Sequence, residues 1–354
     1  MTLKASKCMK LSQFDYHIPD NRIAQHPLKE RDASKLFIIH RRTATFEHRR
    51  FKDIVDYLCP GDVLILNDTR VIPVRLRCVK PSGGKAEITL LRELAKNSWE
   101  SLVKGVHEGK VILKRGITAH VSRLNGTAAR VDFDINSGLP ERGKNDIKNF
   151  LHDVGVMPLP IYIKREAVTS DSGRYQTVYA KKDGAIAAPT AGLHFTDDLI
   201  HSIKEKGIHV KTITLHVGYG TFKPVTAEDV RDHKMDEEYF EIPRATASAI
   251  NAARADGRRV IAVGTTVTRA LEASAKEGEA DRIAPGAGKS SVFIYPGYRF
   301  TIVDALITNF HLPKSTPMML ASAFSELALL KKAYCVAQHE GYRFYSYGDA
   351  MMII

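Results

Sequence analysis

Apolar residues dominate Leu36–His40 and fill Val63–Leu66, as they do in short buried strands. Between these runs, Phe51–Leu58 spaces its apolar residues like a helical turn, and Pro60-Gly61-Asp62 marks a chain reversal. From about Asn67 to Val154 the pattern becomes one of short strands: Val71–Val79, Ala86–Leu91, Trp99–Val103, Val111–Leu113, Ile117–Val121 and Ala128–Ile135. Turn residues such as Pro81-Ser82-Gly83-Gly84 and Asn125-Gly126 separate several of them, which predicts a small barrel or sandwich. Beyond Gly155, helical and strand patterns alternate. Helices are expected at Thr196–Lys206, Ala245–Asp256, Val267–Ala275 and Pro317–Ala328, and strands at Ile208–Val217, Arg259–Val263 and Ile302–Ile307. Thr196, and Ser315 or Thr316, are placed as N-caps, with Pro317 in a first-turn position. The expected architecture is an α/β main domain with a mainly parallel sheet, in two segments (9–66 and 155–354), interrupted by an inserted small β-barrel domain at 67–154.

Composition narrows the class. An apolar fraction of 44% over 354 residues is that of a globular chain with a large core. With 52 basic and 40 acidic residues the net charge is +12, which favours a polyanionic partner, nucleic acid first. Lys29, Arg31, Lys35, Arg41, Arg42, Arg49 and Arg50 crowd one short stretch. Cys8, Cys59, Cys78 and Cys335 are scattered, with no CxxC pair, so neither a zinc framework nor a disulfide scaffold is indicated and a cytoplasmic location is expected. No apolar stretch approaches membrane-spanning length.

In open α/β sheets, ligands bind beyond the carboxyl ends of the strands. Four loops at such positions are unusual. The first, Ala187–Thr196, carries Thr190, Gly192, His194 and Phe195 in a small-residue run leading to a helix N-terminus. The second, Leu215–Phe222, places His216 before Gly218, Gly220 and Thr221. The third is Gly264-Thr265-Thr266, a strand–turn–helix junction followed by Arg269; its N–H groups and hydroxyls suit a carboxylate or phosphate. It lacks the GxGxxG fingerprint of a dinucleotide site. The fourth, Ile307–Thr316, gathers Asn309, Phe310, His311 and Lys314. Each pattern also arises in ordinary capped helices and tight loops with hydrogen-bonded histidines. None of the histidines has the spacing of a common metal motif, so acid–base or hydrogen-bonding roles are preferred. Asp68 and Arg70 follow an apolar strand, and Arg174, Tyr175 and Gln176 form a polar run suited to phosphate and base contacts.

Taken together these runs resemble the S-adenosylmethionine:tRNA ribosyltransferase-isomerase family of queuosine biosynthesis. The similarity spans about Lys10 to Ile354 and is carried by Leu11–Pro19, Ile23–Leu36, Leu66–Pro73, Arg174–Ala180, Ala188–Thr196, Leu215–Val225, Phe293–Thr316 and Arg343–Ala350. Asp236 departs from it where relatives often carry a second histidine, as do Val267-Thr268 and Pro317. The resemblance implies an α/β domain with an inserted barrel. It also implies transfer and isomerisation of the ribosyl group of S-adenosylmethionine onto 7-aminomethyl-7-deazaguanine at the wobble position of a tRNA with a GUN-type anticodon. Epoxyqueuosine-tRNA, adenine and methionine are the products. No metal or other cofactor is implied, since S-adenosylmethionine is a substrate, and a monomer without membrane attachment is expected.

On this reading His194 or His216 is the base, and His311 is the acid or an adenine contact. Gly264-Thr265-Thr266 takes the methionine carboxylate, and Asn309 and Phe195 hold adenine. Arg174, Tyr175 and the basic N-terminal stretch meet tRNA. A non-catalytic RNA-binding protein also explains the charge and the β region, but not the four polar loops. A metal-dependent hydrolase and a methyltransferase are further alternatives, separated by chelator sensitivity and by release of adenosylhomocysteine in place of adenine.

Overall fold

The computed structural model describes residues 8–124, 128–135, 146–218, 225–275 and 282–354. The chain enters with a hairpin of β1 (Lys35–His40) and β2 (Thr45–Arg50), followed by β3 (Val63–Asn67) and the short β4 (Thr69–Val71). Six strands then form the barrel: β5 (Arg75–Val79), β6 (Lys85–Ala95), β7 (Ser98–Lys104), β8 (Gly109–Leu113), β9 (Thr118–Arg123) and β10 (Ala128–Asp134). The return path runs through α1 (Leu151–Val154), β11 (Gly155–Val156), α2 (Asp171–Arg174) and β12 (Lys182–Ala185). The remainder is α3 (Asp197–Glu205), β13 (His209–Leu215), β14 (Glu238–Ile242), α4 (Arg244–Ala255), β15 (Val260–Val263), α5 (Thr265–Ala273), β16 (Gly286–Ser290), β17 (Ala305–Asn309), α6 (Thr316–Ser325), α7 (Leu327–His339) and β18 (Ala350–Ile353).

The barrel closes through antiparallel pairing in the order β5-β6-β7-β10-β9-β8, with β8 returning to β5. Its strands alternate buried and exposed residues, as in β10, so one set of side chains fills the interior around Leu76, Ile88, Val111, Val121 and Val131. The chain enters and leaves the barrel side by side: a Cβ on Gly155 would lie 1.8 Å from the Pro73 carbonyl oxygen, so only glycine fits that crossing.

The large sheet has the order β16-β14-β13-β3-β15-β17-β18-β1-β2. It is mixed, not mainly parallel as the alternation of helix and strand suggested. The pairs β13–β3, β3–β15, β15–β17 and β1–β18 are parallel. The pairs β1–β2, β17–β18, β13–β14 and β14–β16 are antiparallel. The β1–β2 hairpin forms one antiparallel edge and β14 with β16 the other, and β18 inserts between β17 and β1 from the far end of the chain. The parallel centre has the continuous burial of a sheet covered on both faces: every residue of β3, β15 and β17 is buried.

Several local expectations shift by a few residues for identifiable reasons. The stretch Val71–Val79 is two strands because Pro73 has no N–H to give a ladder. Thr196 caps α3 by accepting from Leu199 N at 3.1 Å, and Ser315 caps α6 by accepting from Met318 N at 3.3 Å. Phe51–Tyr57 is a 3-10 helix. The expected turn at Asn125-Gly126 lies outside the described residues.

Candidate active site

Strands β3, β13, β15 and β17 run parallel, so their carboxyl ends open at the same edge of the sheet. A cleft of about 720 Å³, counted with its open mouth, lies there. One part of the lining is Ala187–Ala191, Thr190 included, and Val217. The opposite wall is Gly264-Thr265-Thr266 at the start of α5, and Ser315 and Pro317 at the start of α6. The floor is Thr308–Leu312, and Tyr162, Tyr345 and Ser346 complete the rim. Two helix N-termini therefore face one space, each with first-turn N–H groups that have no carbonyl four residues back. Gly264 caps α5 at φ +98°, a conformation that a residue with a Cβ rarely adopts. No carboxylate or ammonium lines this cleft among the described residues.

His194 and Asn309 form one unit at the cleft's base. Asn309 Nδ2 donates to His194 Nε2 at 3.1 Å and to the Tyr345 carbonyl at 3.2 Å. With Nε2 accepting, the ring proton belongs on Nδ1, which donates to Ser34 Oγ at 2.7 Å; Ser34 in turn donates to the Arg31 carbonyl at 3.2 Å. The imidazole also stacks on Phe51, with centroids 4.9 Å apart. Burial is the main reason its pKa is pushed down to about 3, helped by the charges of Arg343 and Arg31. Both ring nitrogens are thus used within the protein. Asn309 Oδ1 is buried with no partner among the described residues. Asn309 lines the cleft, and a buried acceptor without a donor favours an N–H or O–H partner.

His311 faces the cleft directly. Its Nε2 lies 2.9 Å from Thr308 Oγ1, and burial pushes its pKa down to about 3. The backbone is pinned on both sides: its N–H donates to Tyr334 Oη at 3.0 Å, and its carbonyl accepts from Tyr16 Oη. His216 belongs to a different place. It lies beyond β13 against β4 and β12, with Nδ1 2.8 Å from Thr69 Oγ1 and its ring stacked near Tyr239. Gly184 packs against its face so tightly that a Cβ there would approach the ring within 2.7 Å. His216 does not line the cleft, although its neighbour Val217 does.

The other sequence candidates divide between cleft, framework and surface. Thr190, Gly264, Thr265, Thr266 and Asn309 line the cleft. Gly192 turns the wall, and a Cβ on it would meet Tyr179 Oη at 2.0 Å. Phe195 is fully buried in the core beneath Phe51 and does not reach the cleft. Asp68 accepts from Thr214 Oγ1 at 2.6 Å and braces β13. Arg70 donates to the Ala180 carbonyl at 2.9 Å near Asp183. Tyr175 is fully buried, and Gln176 clasps Val71 N–H and C=O at 3.0 and 2.7 Å, so neither is presented to a ligand. Arg174 donates to the carbonyls of Lys29 and Leu28. Gly218 is half-buried at the end of the described segment, and Gly220 and Thr221 lie outside the described residues. Arg269 forms a buried ion pair with Glu238, and its Nη1 is buried without a partner among the described residues. It lines a side pocket with Met235, Phe293 and Thr316; Thr265 and Pro317 border both this pocket and the cleft.

Sequence reasoning missed Tyr162, Tyr345 and Ser346. Tyr162 and Tyr345 pack with centroids 4.8 Å apart, and Tyr162 Oη meets Ser346 Oγ at 2.5 Å. Among the described residues, no group of three or more His, Cys, Asp or Glu is placed to hold a metal ion, and no helix is long and apolar enough to cross a membrane.

Comparison with known proteins agrees with this architecture. A solved structure of S-adenosylmethionine tRNA ribosyltransferase from Thermotoga maritima superposes with a TM-score of 0.56 at 33% identity, covering 97% of this chain and 100% of that one. The S-adenosylmethionine:tRNA ribosyltransferase-isomerase of Thermodesulfovibrio yellowstonii is 48% identical over 98% of this chain and 100% of its own length. That of Pelotomaculum thermopropionicum is 49% identical with the same coverage. The family described as queuosine biosynthesis protein matches residues 11–353. With that match over nearly its whole length and relatives approaching half identity, the chain belongs to the queuosine biosynthesis protein family.

Proposed function

We propose that this protein transfers and isomerises the ribosyl group of S-adenosylmethionine onto 7-aminomethyl-7-deazaguanine in the anticodon of tRNA, yielding epoxyqueuosine-tRNA, adenine and methionine. The observation that carries the reading is the cleft at the parallel strand ends, where two helix N-termini, an orphan amide oxygen and a tyrosine pair surround one space. Each part has a counterpart on the donor. The methionine carboxylate is assigned to the start of α5 at Gly264-Thr265-Thr266, with the unpartnered Nη1 of Arg269 beside it. The sulfonium is assigned to the faces of Tyr162 and Tyr345, since aromatic faces attract cations where no carboxylate is present. Asn309 Oδ1 is assigned to a donor on adenine or ribose.

Chemically, the sulfonium acidifies the adjacent 5′ carbon. Removal of a proton there gives an ylide, and adenine is expelled as the ribose ring opens. The anticodon amine adds to the electrophile so formed, and closure of the epoxide expels methionine as a neutral thioether. Of the three histidines, His311 is placed to act on substrate. Held neutral by burial, it serves as a hydrogen-bonding contact to adenine; it carries no second proton to deliver at neutral pH. His194 acts through Asn309 as a positioning residue. The dry setting protects intermediates that water would destroy. The protein is assigned to the cytoplasm, where tRNA and S-adenosylmethionine meet.

Incubation with precursor-bearing tRNA and S-adenosylmethionine, followed by mass analysis of digested nucleosides, tests the proposal. An epoxide nucleoside with equimolar adenine is the expected result. A methylated nucleoside with adenosylhomocysteine, or tRNA binding with no turnover, overturns it.

A further inference from the structure

On the side of His194 away from the cleft lies a second hollow, walled by Arg31, Arg174, Arg343 and Glu30 and closed at its base by His194. Three guanidiniums from three distant stretches of chain converge there. Their hydrogen bonds go mainly to carbonyls. Arg31 donates to Leu193 O at 3.0 Å and Gly173 O at 2.9 Å. Arg174 donates to Lys29 O at 2.9 Å and Leu28 O at 2.7 Å, and its Nε is buried with no partner among the described residues. Arg343 donates to His26 O at 3.2 Å and approaches Asp349 only to 3.9 Å. Glu30, the acid on the wall, is exposed.

A carbonyl satisfies an N–H but carries no net charge; Asp349 beside Arg343 and the exposed Glu30 offset part of the three guanidinium charges, and the hollow keeps a net positive balance. The local electrostatics agree in sign. Burial, then the Arg174 charge, lowers the pKa of Arg31, and burial lowers that of Arg343. Like charges crowded at partial burial are unfavourable by themselves, and an anion relieves the conflict. Arginine clusters of this kind match the planar, multidentate recognition of phosphate oxygens.

We propose that this hollow is a phosphate receptor that seats a phosphodiester of the tRNA anticodon loop beside the nucleotide whose base enters the cleft. The proposal rests on the tRNA reading above. The wall between the two spaces is thin: Ser346 lines both, and His194 and Asn309 stand between them. A nucleotide can therefore hold its backbone on one side and reach the cleft rim on the other.

Titration of tRNA binding against salt tests this, using Arg343→Gln, Arg31→Gln and Glu30→Gln. Each arginine variant is expected to weaken tRNA binding about tenfold and flatten the slope of log K against log salt by about one, with KM for S-adenosylmethionine unchanged. Glu30→Gln is expected to tighten binding, a gain that damaged folding cannot mimic. Inorganic phosphate is expected to compete with tRNA and not with S-adenosylmethionine. Wild-type affinity and slope in both folded arginine variants overturn the proposal. So does a salt-independent loss, which marks a purely structural role, and so does phosphate competing with S-adenosylmethionine. If the wild type binds tRNA with this salt signature yet releases no adenine, the enzyme reading fails and the phosphate receptor stands.

Discussion

Asn309 Nδ2 donates to His194 Nε2 at 3.1 Å, and the bond occupies the lone pair that a catalytic imidazole would need. The same amide leaves its oxygen buried with no partner among the described residues. The pair is thus a positional unit: the histidine, held by Ser34 and stacked on Phe51, fixes which end of the amide faces it. Replacing Asn309 with Asp removes the donor and sets a carboxylate against the Tyr345 and Asp349 carbonyls. Loss of about 1–3 kcal/mol of stability is expected in Asn309→Asp, with adenine release falling further than the Tm shift explains. Denaturation and single-turnover adenine release measure the two effects; unchanged turnover excludes the amide from ligand contact.

His311→Ala is expected to slow adenine release by about 10²–10³-fold, the usual worth of one placed hydrogen-bonding group at a reacting centre. His216→Ala is expected to cost much less in kcat, because His216 lies against Thr69 and Tyr239, off the cleft. Steady-state kinetics of both variants decide the matter, and a larger kcat defect in His216→Ala reverses the assignment.

Burial holds His194 and His311 neutral down to about pH 3 in the native state. In the unfolded chain each histidine takes up a proton near pH 6.5. Below that point the unfolded state binds more protons, so the contribution of these groups to stability is complete above pH 6.5 and is lost as pH falls towards 3. Tm is expected to drop between pH 6.5 and 4.5, before most carboxylates titrate. Calorimetry of a His194→Gln, His311→Gln double variant checks the source: its Tm, lower overall, is expected to vary less over this range, and an undiminished slope refutes the account.

The buried Arg269–Glu238 pair bears on stability and, through Nη1, on the proposed carboxylate binding. Arg269→Met removes the cation facing a buried carboxylate and is expected to destabilise by about 3–5 kcal/mol. Arg269→Lys keeps the charge but loses the forked geometry. It is expected to raise KM for S-adenosylmethionine with a smaller change in Tm. Equal KM values in the lysine variant and the wild type rule out a role for the free Nη1 in carboxylate binding.

Legibility in the sequence followed the range of the signal. Gly264-Thr265-Thr266 and Thr308–His311 were recognisable because a buried apolar run, a small-residue turn and a cap occur within a few residues of each other. The barrel was legible for the same reason, since alternation and turn residues are local. Tyr175 and Gln176 looked like ligand contacts because polarity alone does not distinguish a side chain facing solvent from one clasping a backbone. Tyr162, Ser346 and the convergence of Arg31 with Arg343 left no local trace, because each depends on segments joined only by the tertiary fold. The mixed character of the sheet was hidden similarly: nothing within β18 states which neighbours it will take.

That strand has a consequence for how the protein is made. β18 lies between β17 and β1, and Asp349, just before it, accepts from the backbone N–H of Lys35 at 2.9 Å across 314 residues of sequence. The opening hairpin has no other seat in the sheet, so during synthesis it must wait, apolar face uncovered, until the distal strand emerges from the ribosome. Asp349 also offers its carbonyl to Asn309. Docking of this one strand thus completes the sheet and sets Asn309 at the cleft in one event.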